Sequence, residues 1–177
     1  PEDLTRAGVK TFHVVAYKEL ARESGLTRGF EVERLLSPEG SQPFALSAPM
    51  LDEAVSLLKT AGDGPVFLFM HLMDAHSPYD SAGDAPTPFE AYAREVDLAT
   101  RNVDAFRRAI TADPALAQRT ALIVTADHGE EFMEHGKRYH NGSLYDELLR
   151  VPLWVCSPAP PRVIDEPVSL IDLAPTL

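Results

Sequence analysis

The sequence predicts an α/β fold in which a mainly parallel sheet is flanked by helices on both faces. Short apolar runs bounded by glycine and proline alternate along the chain with segments of helical periodicity, as expected of β-α-β units. The longest of these runs does not alternate between apolar and polar residues, so both faces of that strand are expected to be covered.

Four apolar segments are predicted as strands. The first, at 11–17, is rich in β-branched and aromatic residues. The second, at 66–73, is apolar almost throughout and is expected to be a central strand. The segments at 120–126 and 151–157 have the length and apolar character of buried strands. We expect the sheet to be built around these four segments.

Two helices are predicted between the strands. One begins near Ser47, which we expect to be its N-cap, with Pro49 in the first turn and Gly62 after the end. The other follows a polar loop at 77–88, and its apolar residues recur every three or four positions over 89–110. This pattern is typical of a helix that packs one side on a core.

Composition and charge exclude several classes of protein. The chain has 177 residues, 45% of them apolar, which is enough for one domain with a core. Its net charge of −11 argues against nucleic acid as a partner, because phosphate binding needs clustered lysine and arginine. A single cysteine excludes a disulfide within the chain. No apolar run reaches the ~18 residues of a membrane span, so we expect no membrane contact from this segment.

The two ends of the sequence predict a fragment. Residue 1 is proline and not methionine, and the last residues, 168–177, read as an element interrupted in mid-course. We therefore expect this chain to be one part of a longer protein, whose location in the cell the sequence leaves open.

Polar clusters follow two of the predicted strands. One strand runs into Asp74 and His76, and a later one runs into Asp127 and His128. Because ligands of open α/β sheets bind at the carboxyl ends of strands, neighbouring parallel strands would bring both clusters to one crevice. A carboxylate and an imidazole are common ligands of divalent metals, and Gly129 would permit a turn that brings adjacent side chains together. Taken alone, the Asp-His-Gly run is better explained by a turn that caps a helix.

A wider set of blocks resembles the sulfatase family of the alkaline phosphatase superfamily. The run TADHGEEFMEHG at 125–136, followed by His140 and by LYDELLRVPL at 144–153, is similar to the metal-binding segment of that family. The run HLMDAHSPY at 71–79 looks like its histidine loop. The remaining matching blocks are 25–31, 92–97 and 168–177. The resemblance implies an alkaline-phosphatase-like fold, incomplete at the N-terminus, and a single partial catalytic domain over 1–177.

The resemblance also implies roles for individual residues. Asp127 and His128 would hold one catalytic divalent metal ion, with Ca, Mn and Zn as candidates. His76 would contact the transferred sulfate or phosphate group and protonate the leaving oxygen. His140 lies near a position that the family fills with a substrate-contacting Lys or His, and Lys137 is its rival because the spacing of this loop varies.

The metal site leaves two alternatives open. Many sulfatases place Asn beside the aspartate, around calcium, whereas the nitrogen of His128 suits manganese or zinc better. Sulfate and phosphate esters therefore both remain candidate substrates. A second metal bound by Asp74, His76 and His140, as in the two-metal members of the superfamily, is the less favoured arrangement.

The sequence departs from the family in its nucleophile. Sulfatases begin with paired aspartates and a motif Cys/Ser-x-Pro-x-Arg, and no segment of this sequence matches either. Cys156 is followed by Ser-Pro but lies in the last predicted strand, so it is interpreted as a buried structural cysteine. The resemblance implies that the nucleophile, formylglycine in sulfatases, lies before Pro1 and that the fragment alone is inert.

Several other polar residues are interpreted as structural. His13 and His71 lie within predicted strands, His135 is expected to order its glycine-rich loop, and Arg150 is expected to form an ion pair. Three acidic residues are expected to complement a helix N-terminus: Glu130, Glu131 and Glu134.

Three functions are compatible with these blocks. The first is metal-dependent hydrolysis of a sulfate ester of a small molecule, glycan or lipid. The second is the chemistry of a phosphodiesterase, phosphonate hydrolase or phosphoethanolamine-type transferase of the same superfamily, with a Thr or Ser nucleophile. The third is a non-catalytic domain that kept the fold. Related enzymes are often exported or membrane-anchored, which the resemblance alone suggests for the longer protein.

Overall fold

A computed structural model of the chain describes residues 1–21, 24–25, 27–38, 43–140 and 142–176. The strands are β1 (Lys10–Val15), β2 (Val32–Leu35), β3 (Val66–His71), β4 (Leu122–Thr125), β5 (Glu131–Phe132), β6 (Arg138–Tyr139) and β7 (Leu153–Cys156). The α-helices are α1 (Glu2–Arg6), α2 (Ser47–Thr60), α3 (Pro88–Thr111), α4 (Pro114–Ala117), α5 (Asp146–Leu149) and α6 (Leu173–Thr176). Short 3-10 helices span Lys18–Leu20 and Leu170–Asp172. Of the blocks matched in the sequence, Leu26 and Leu177 lie outside the described residues.

Three strands form a parallel sheet in the order β2-β1-β3. Strand β1 is the central one, and its residues from Thr11 to Val15 are almost fully buried. Strand β3 was predicted to be central but lies at an edge of the described sheet, where its side chains are mostly half-buried and Phe69 is 45% exposed. An apolar run marks a strand, but it does not fix the position of that strand in the sheet.

The last two predicted strands form a separate sheet. Strands β4 and β7 pair with each other in antiparallel orientation, with Leu122 opposite Cys156 and Thr125 opposite Leu153. Trp154 and Val155 are about half exposed, so β7 is not the buried strand that its composition suggested. A parallel pair is usually joined by a crossover helix, whereas the described residues between β4 and β7 form a hairpin and the four-residue helix α5.

The core lies between β1, α2 and α3. Val14 of β1 and Met50 and Ala54 of α2 are fully buried in it, and α3 adds Phe106 and Ile110, which are nearly so. Burying one such large apolar side chain contributes about 1.5–3 kcal/mol, so this cluster is the main source of stability. Within the described ranges, none of the helices has the length and apolar character that a membrane span requires.

The N-terminus of α2 is bound by Asp74, a residue that lies far from it in the sequence. The predicted N-cap, Ser47, is instead the first helical residue, and Leu46 occupies the N-cap position without a side-chain bond. Ser47 donates its backbone N–H to the Asp74 carboxylate at 3.0 Å and its hydroxyl to the same group at 2.6 Å. Asn102 of α3 donates to the Ser47 hydroxyl at 2.9 Å. Asp74 thus ties the loop after β3 to both long helices.

The bounds of α3 agree closely with those of the helix predicted over 89–110. Thr87 is its N-cap, Pro88 takes the first helical position, and the Thr87 hydroxyl accepts a bond from Glu90 N. The polar loop that follows β3 therefore ends at the first turn of α3, which holds this end of the loop in place.

Candidate active site at the strand ends

Three histidines from different parts of the chain form one group. His76 follows β3, His128 follows β4 and His140 follows β6. The rings of His128 and His140 stack with centroids 4.0 Å apart, and the ring of His76 lies 5.9 Å from that of His140. The polar clusters after β3 and β4 therefore meet, although these two strands belong to different sheets.

Each ring of this histidine group is held through Nδ1. The three pairs are His76 Nδ1 with Ser77 O at 2.7 Å, His128 Nδ1 with Gly129 O at 2.8 Å and His140 Nδ1 with Glu130 Oε1 at 3.1 Å. A carbonyl oxygen can only accept, so Nδ1 of His76 and of His128 is the donor, and the neutral ring keeps its lone pair on Nε2. Bonds of this kind orient histidines that bind metals.

Asp127 and His128 bring a carboxylate and a ring nitrogen close to each other. Asp127 Oδ1 accepts a bond from His128 N at 3.0 Å, and Asp127 Oδ2 lies 3.7 Å from His128 Nε2. Metal–oxygen and metal–nitrogen bonds of about 2.0–2.2 Å fit between two atoms at this separation. The Asp127 side chain is 70% exposed, which leaves the pair open to an ion. In the part of the chain that the structure describes, no group of three or more His, Cys, Asp or Glu side chains is arranged for a metal.

Glu130 connects the histidine group to Tyr79. Its side chain is 6% exposed, and it contacts His140 with Oε1 while Oε2 accepts a bond from the Tyr79 hydroxyl at 2.5 Å. Burial, followed by the bond to Glu130, raises the pKa of Tyr79, so this hydroxyl remains a neutral donor. Glu130 was expected to complement a helix N-terminus, and its contacts correct that interpretation. Sequence analysis missed the contact between Tyr79 and Glu130 because the two residues lie 51 positions apart.

His71 belongs to the surroundings of the same group. It is the last residue of β3, its Nδ1 is buried, and that atom has no hydrogen-bond partner among the described residues. Burial lowers the pKa of His71, the charge of Asp127 opposes this shift, and His13, His76 and His128 add to it. The effect of the Asp127 charge on the pKa of His71 indicates that His71 lies near the candidate site. In the sequence, the position of His71 in the predicted strand at 66–73, just before Asp74 and His76, is the feature that could have indicated this location.

Two further predicted site residues, Asp74 and Lys137, form hydrogen bonds with residues outside the histidine group. Asp74 is 1% exposed, and both of its oxygens face Ser47. Lys137 is exposed in the turn between β5 and β6, where it donates to Gly142 O at 2.7 Å. The second metal and the role of Lys137 in substrate binding stay predictions.

The loop after Glu130 is ordered by a buried carboxylate. Glu131 is 1% exposed and accepts bonds from His135 N and the Ser143 hydroxyl, so it does not serve a helix N-terminus as expected. The ring of His135 stacks on Tyr145 at 3.5 Å, in keeping with a role in this loop.

The structural roles expected for three other residues are also corrected. Glu134 accepts a bond from Phe132 N and not from a helix terminus. Across the described ranges Arg150 forms no side-chain ion pair. Cys156 is a free cysteine that is half-buried at the end of β7, rather than fully buried.

Gly129 allows α5 to pack against the Asp127–His128 turn. Its N–H donates to Leu148 O at 2.9 Å, and a Cβ at this position would clash with the carbonyl oxygen of Glu147. The sequence suggested a turn that needs glycine flexibility, but the structure shows that close approach of two backbones is the reason.

The chain was compared with known proteins. The sequence model of the Sulfatase family matches residues 1–177. The uncharacterized sulfatase YidJ of Escherichia coli (strain K12) is 40% identical over 76 residues, which are 42% of this chain and 15% of that protein. Arylsulfatase K of Xenopus laevis is 39% identical over 67 residues, which are 37% of this chain and 12% of that protein. The chain thus matches only a small part of the length of either relative.

Two solved structures share the fold. The C-terminal periplasmic domain of EcEptC from Escherichia coli, in complex with Zn, has a TM-score of 0.66 and 15% identity, covering 87% of this chain and 50% of that one. A protein of the alkaline phosphatase superfamily from Vibrio parahaemolyticus has a TM-score of 0.62 and 16% identity, covering 89% of this chain and 41% of that one. These likenesses confirm the predicted α/β fold of the alkaline phosphatase type.

Proposed function

Because the chain belongs to the sulfatase family, whose sequence model matches residues 1–177, we propose that it forms part of the metal-dependent active site of a sulfate ester hydrolase. The supporting observation is the placement of Asp127 and His128 beside His140 and His76. In this proposal residues 1–177 are one part of a single catalytic domain, and the nucleophile, a formylglycine, is supplied by another part of the protein.

Asp127 and His128 would hold the metal. A divalent ion at this pair acts as a Lewis acid and neutralises negative charge on the oxygens of the ester. Asp127 offers Oδ2, and His128 offers Nε2 because its Nδ1 is bonded to Gly129 O. Two donors do not complete a coordination shell, so further ligands must come from other residues of the protein.

His140 and His76 would act on the sulfate group and the leaving oxygen. The Glu130 carboxylate beside His140 Nδ1 favours a proton on that nitrogen, and the doubly protonated ring would also carry Nε2–H and could donate it to a sulfate oxygen. His76 donates Nδ1–H to Ser77 O, so its doubly protonated form, which also carries a proton on Nε2, would be the general acid to the leaving oxygen. Because His128 stacks directly on His140, a neutral, metal-bound His128 avoids like charge between the two rings.

Phosphate ester chemistry is the second candidate. The nitrogen ligand at His128 suits zinc or manganese better than calcium. A zinc complex is also found for the structurally similar EcEptC domain. This arrangement would support a phosphodiesterase, phosphonate hydrolase or phosphoethanolamine-type transferase. The substrate in either case would be a small-molecule, glycan or lipid ester.

The decisive experiment measures turnover and metal content together in the full-length protein. Initial rates are compared for 4-nitrophenyl sulfate, 4-nitrophenyl phosphate and bis(4-nitrophenyl) phosphate, and metal is quantified by mass spectrometry. Faster turnover of the sulfate supports the sulfatase. Faster turnover of a phosphate ester supports the second candidate, and no turnover supports a non-catalytic domain.

A matched pair of variants tests the metal ligands. Asp127→Asn is expected to lose the metal and to lower kcat/KM by roughly a hundredfold or more, since even partners of ligands cost 10–100-fold when removed. Asp165→Asn, at an exposed aspartate in the C-terminal segment, should change neither quantity. Equal metal content in both variants would show that Asp127 is not a ligand.

A further inference from the structure

Helix α3 carries a carboxylate on its buried side. Glu95 is 0% exposed. It follows Tyr92 by about one turn and precedes Asn102 by about two, so these three side chains share one face of the helix. One turn further along, the same face reaches the core through Phe106. An acidic residue thus occupies a position where the apolar period of α3 favours a core residue.

Glu95 binds the loop that joins β3 to α3. Its Oε1 accepts a bond from Ala82 N at 2.8 Å. In the part of the chain that the structure describes, Glu95 forms no ion pair, and its buried Oε2 has no hydrogen-bond partner. A buried carboxylate with a single hydrogen bond costs stability, because burial removes its hydration without full compensation. Stability of the fold therefore does not explain an acidic residue at this position.

Two buried carboxylates hold this loop on either side of His76 and Tyr79. Asp74 precedes them and is tied to both long helices through Ser47. Glu95 acts after them, through the backbone of Ala82. The stretch that contains His76 and Tyr79 is therefore held at both ends.

The stretch between the two carboxylate contacts leads into the candidate site. His76 belongs to the histidine group, with its ring 5.9 Å from that of His140. Tyr79 donates to Glu130, which also contacts His140. The Tyr79 ring packs edge to face on Tyr92 of α3, with centroids 5.6 Å apart. A shift of the loop away from α3 would therefore move His76 and Tyr79 relative to the other residues of the site.

We propose that Glu95 is a positioning residue of the active site, and that by holding Ala82 it keeps the loop after β3 where His76 is directed at the leaving oxygen. The inference rests on the proposed function for the role of His76. It adds a residue of α3 that acts through the loop and not on the ester itself.

The test compares the full-length wild-type protein with three variants. Glu95→Leu removes the acceptor, whereas Glu95→Gln keeps an oxygen that can accept from Ala82 N. Ile110→Ala, at a core position of the same helix, controls for a loss of stability. If Glu95→Leu is not folded by circular dichroism, Glu95→Met, which is unbranched like glutamate, replaces it.

The measurements are kcat and KM for 4-nitrophenyl sulfate and phenyl sulfate, with sulfate release followed by ion chromatography. Metal content and the melting temperature are determined for each variant. If the wild type cleaves phosphate but not sulfate esters, 4-nitrophenyl phosphate and phenyl phosphate replace the two sulfates and phosphate release is measured.

The expected result is a loss in kcat that depends on the leaving group. Phenolate leaves less readily than 4-nitrophenolate, so its departure depends more on a well-placed general acid. Glu95→Leu should lower kcat for phenyl sulfate by roughly ten- to a hundredfold, and by a smaller factor for 4-nitrophenyl sulfate, because the acid is misplaced. KM and metal content should change little. Glu95→Gln should recover most of the loss.

The control variant separates positioning from stability. Ile110→Ala should lower the melting temperature but leave the ratio of the two kcat values unchanged. Equal losses for the two esters, no loss in Glu95→Leu, or a loss in Glu95→Gln as large as that in Glu95→Leu would overturn the proposal. The same change of ratio in Ile110→Ala would also overturn it.

Failure of the proposed function gives a different result. If the wild-type protein cleaves no ester, the hydrolase proposal fails, and the hold of Glu95 on the loop is tested by amide hydrogen exchange. Residues 77–87 should lose protection in Glu95→Leu but not in Glu95→Gln, while residues 103–110 exchange alike in both. Equal protection of the loop in the wild type and in Glu95→Leu would overturn the role of Glu95.

Discussion

Asp74 and Asp127 each follow a strand, and the structure gives the two carboxylates opposite surroundings. Asp74 is 1% exposed and accepts both a backbone and a hydroxyl bond from Ser47. Asp127 is 70% exposed and faces the Nε2 atom of His128. The buried carboxylate holds the N-terminus of α2, whereas the exposed one is available to a cation.

Substitution of Asp74 should therefore lower the stability of the fold, whereas substitution of Asp127 should leave the stability almost unchanged. Asp74→Ala is expected to lower the free energy of unfolding by about 2–4 kcal/mol, because the buried N–H of Ser47 loses its charged acceptor. Asp127→Ala should change it by less than about 0.5 kcal/mol in the absence of metal, as is usual for an exposed site. Urea denaturation of both variants measures the difference. Equal destabilisation would contradict the assignment of Asp74 to α2.

Tyr79 predicts how stability depends on alkaline pH. Burial and the Glu130 bond raise the pKa of Tyr79 above its unfolded value of about 10. A raised pKa contributes stability that is complete below the unfolded value and is lost as pH rises above it. Tyr79→Phe should lower the free energy of unfolding by about 1–2 kcal/mol at neutral pH, because Glu130 loses a donor, and should flatten the decline above pH ~10.

Urea denaturation near pH ~8 and pH ~11, on either side of the unfolded value for tyrosine, measures this effect. Tyr17→Phe, at an exposed tyrosine, controls for general alkaline destabilisation. A decline of equal slope in the wild type and in Tyr79→Phe would show that Tyr79 does not cause it.

Among the elements, local and long-range signals differ in what they predict. Helix α3 was predicted within one residue at each end because its apolar period and its cap are local features. The hairpin of β5 and β6 has only two residues in each strand, too few for any period to show. The Tyr79–Glu130–His140 link depends on where the chain folds back, which no local pattern records. The fold class was thus accessible from sequence, but the contacts around the predicted site histidines were not.

Packing of α5 on the Asp127–His128 turn depends on Gly129. Gly129→Ala would drive a methyl group into the backbone of Glu147, so α5 or the turn must shift. We expect a loss of about 2–3 kcal/mol in the free energy of unfolding and weaker metal binding, because Gly129 O orients His128. Gly64→Ala is the control, since a Cβ there meets nothing within 4 Å. Similar urea midpoints for the two variants would mean that the contact with α5 is not tight.

On the scale of the whole molecule, burial is distributed unevenly. Strand β1, α2 and α3 contain most of the fully buried apolar residues. Strand β7 and the segment after it are largely exposed, with Val155 at 53% and Val163 at 86%. The apolar composition of 151–157 predicted a strand correctly, but composition cannot report which neighbours cover it. Because local stability follows buried apolar contacts, the two sheets should differ in their resistance to unfolding.

Trp154 allows this difference to be measured, since it is the single tryptophan of the chain and lies in β7. In urea, Trp154 fluorescence should change at a lower concentration than the far-UV circular dichroism signal, which reports mainly on α2, α3 and the other helices. Amide hydrogen exchange should agree, with slow exchange in Lys10–Val15 and fast exchange in Leu153–Cys156. Probes whose transitions coincide indicate one cooperative unit. Coincident midpoints, together with equal protection of β1 and β7, would therefore show that the antiparallel pair is stabilised by the same core as the parallel sheet.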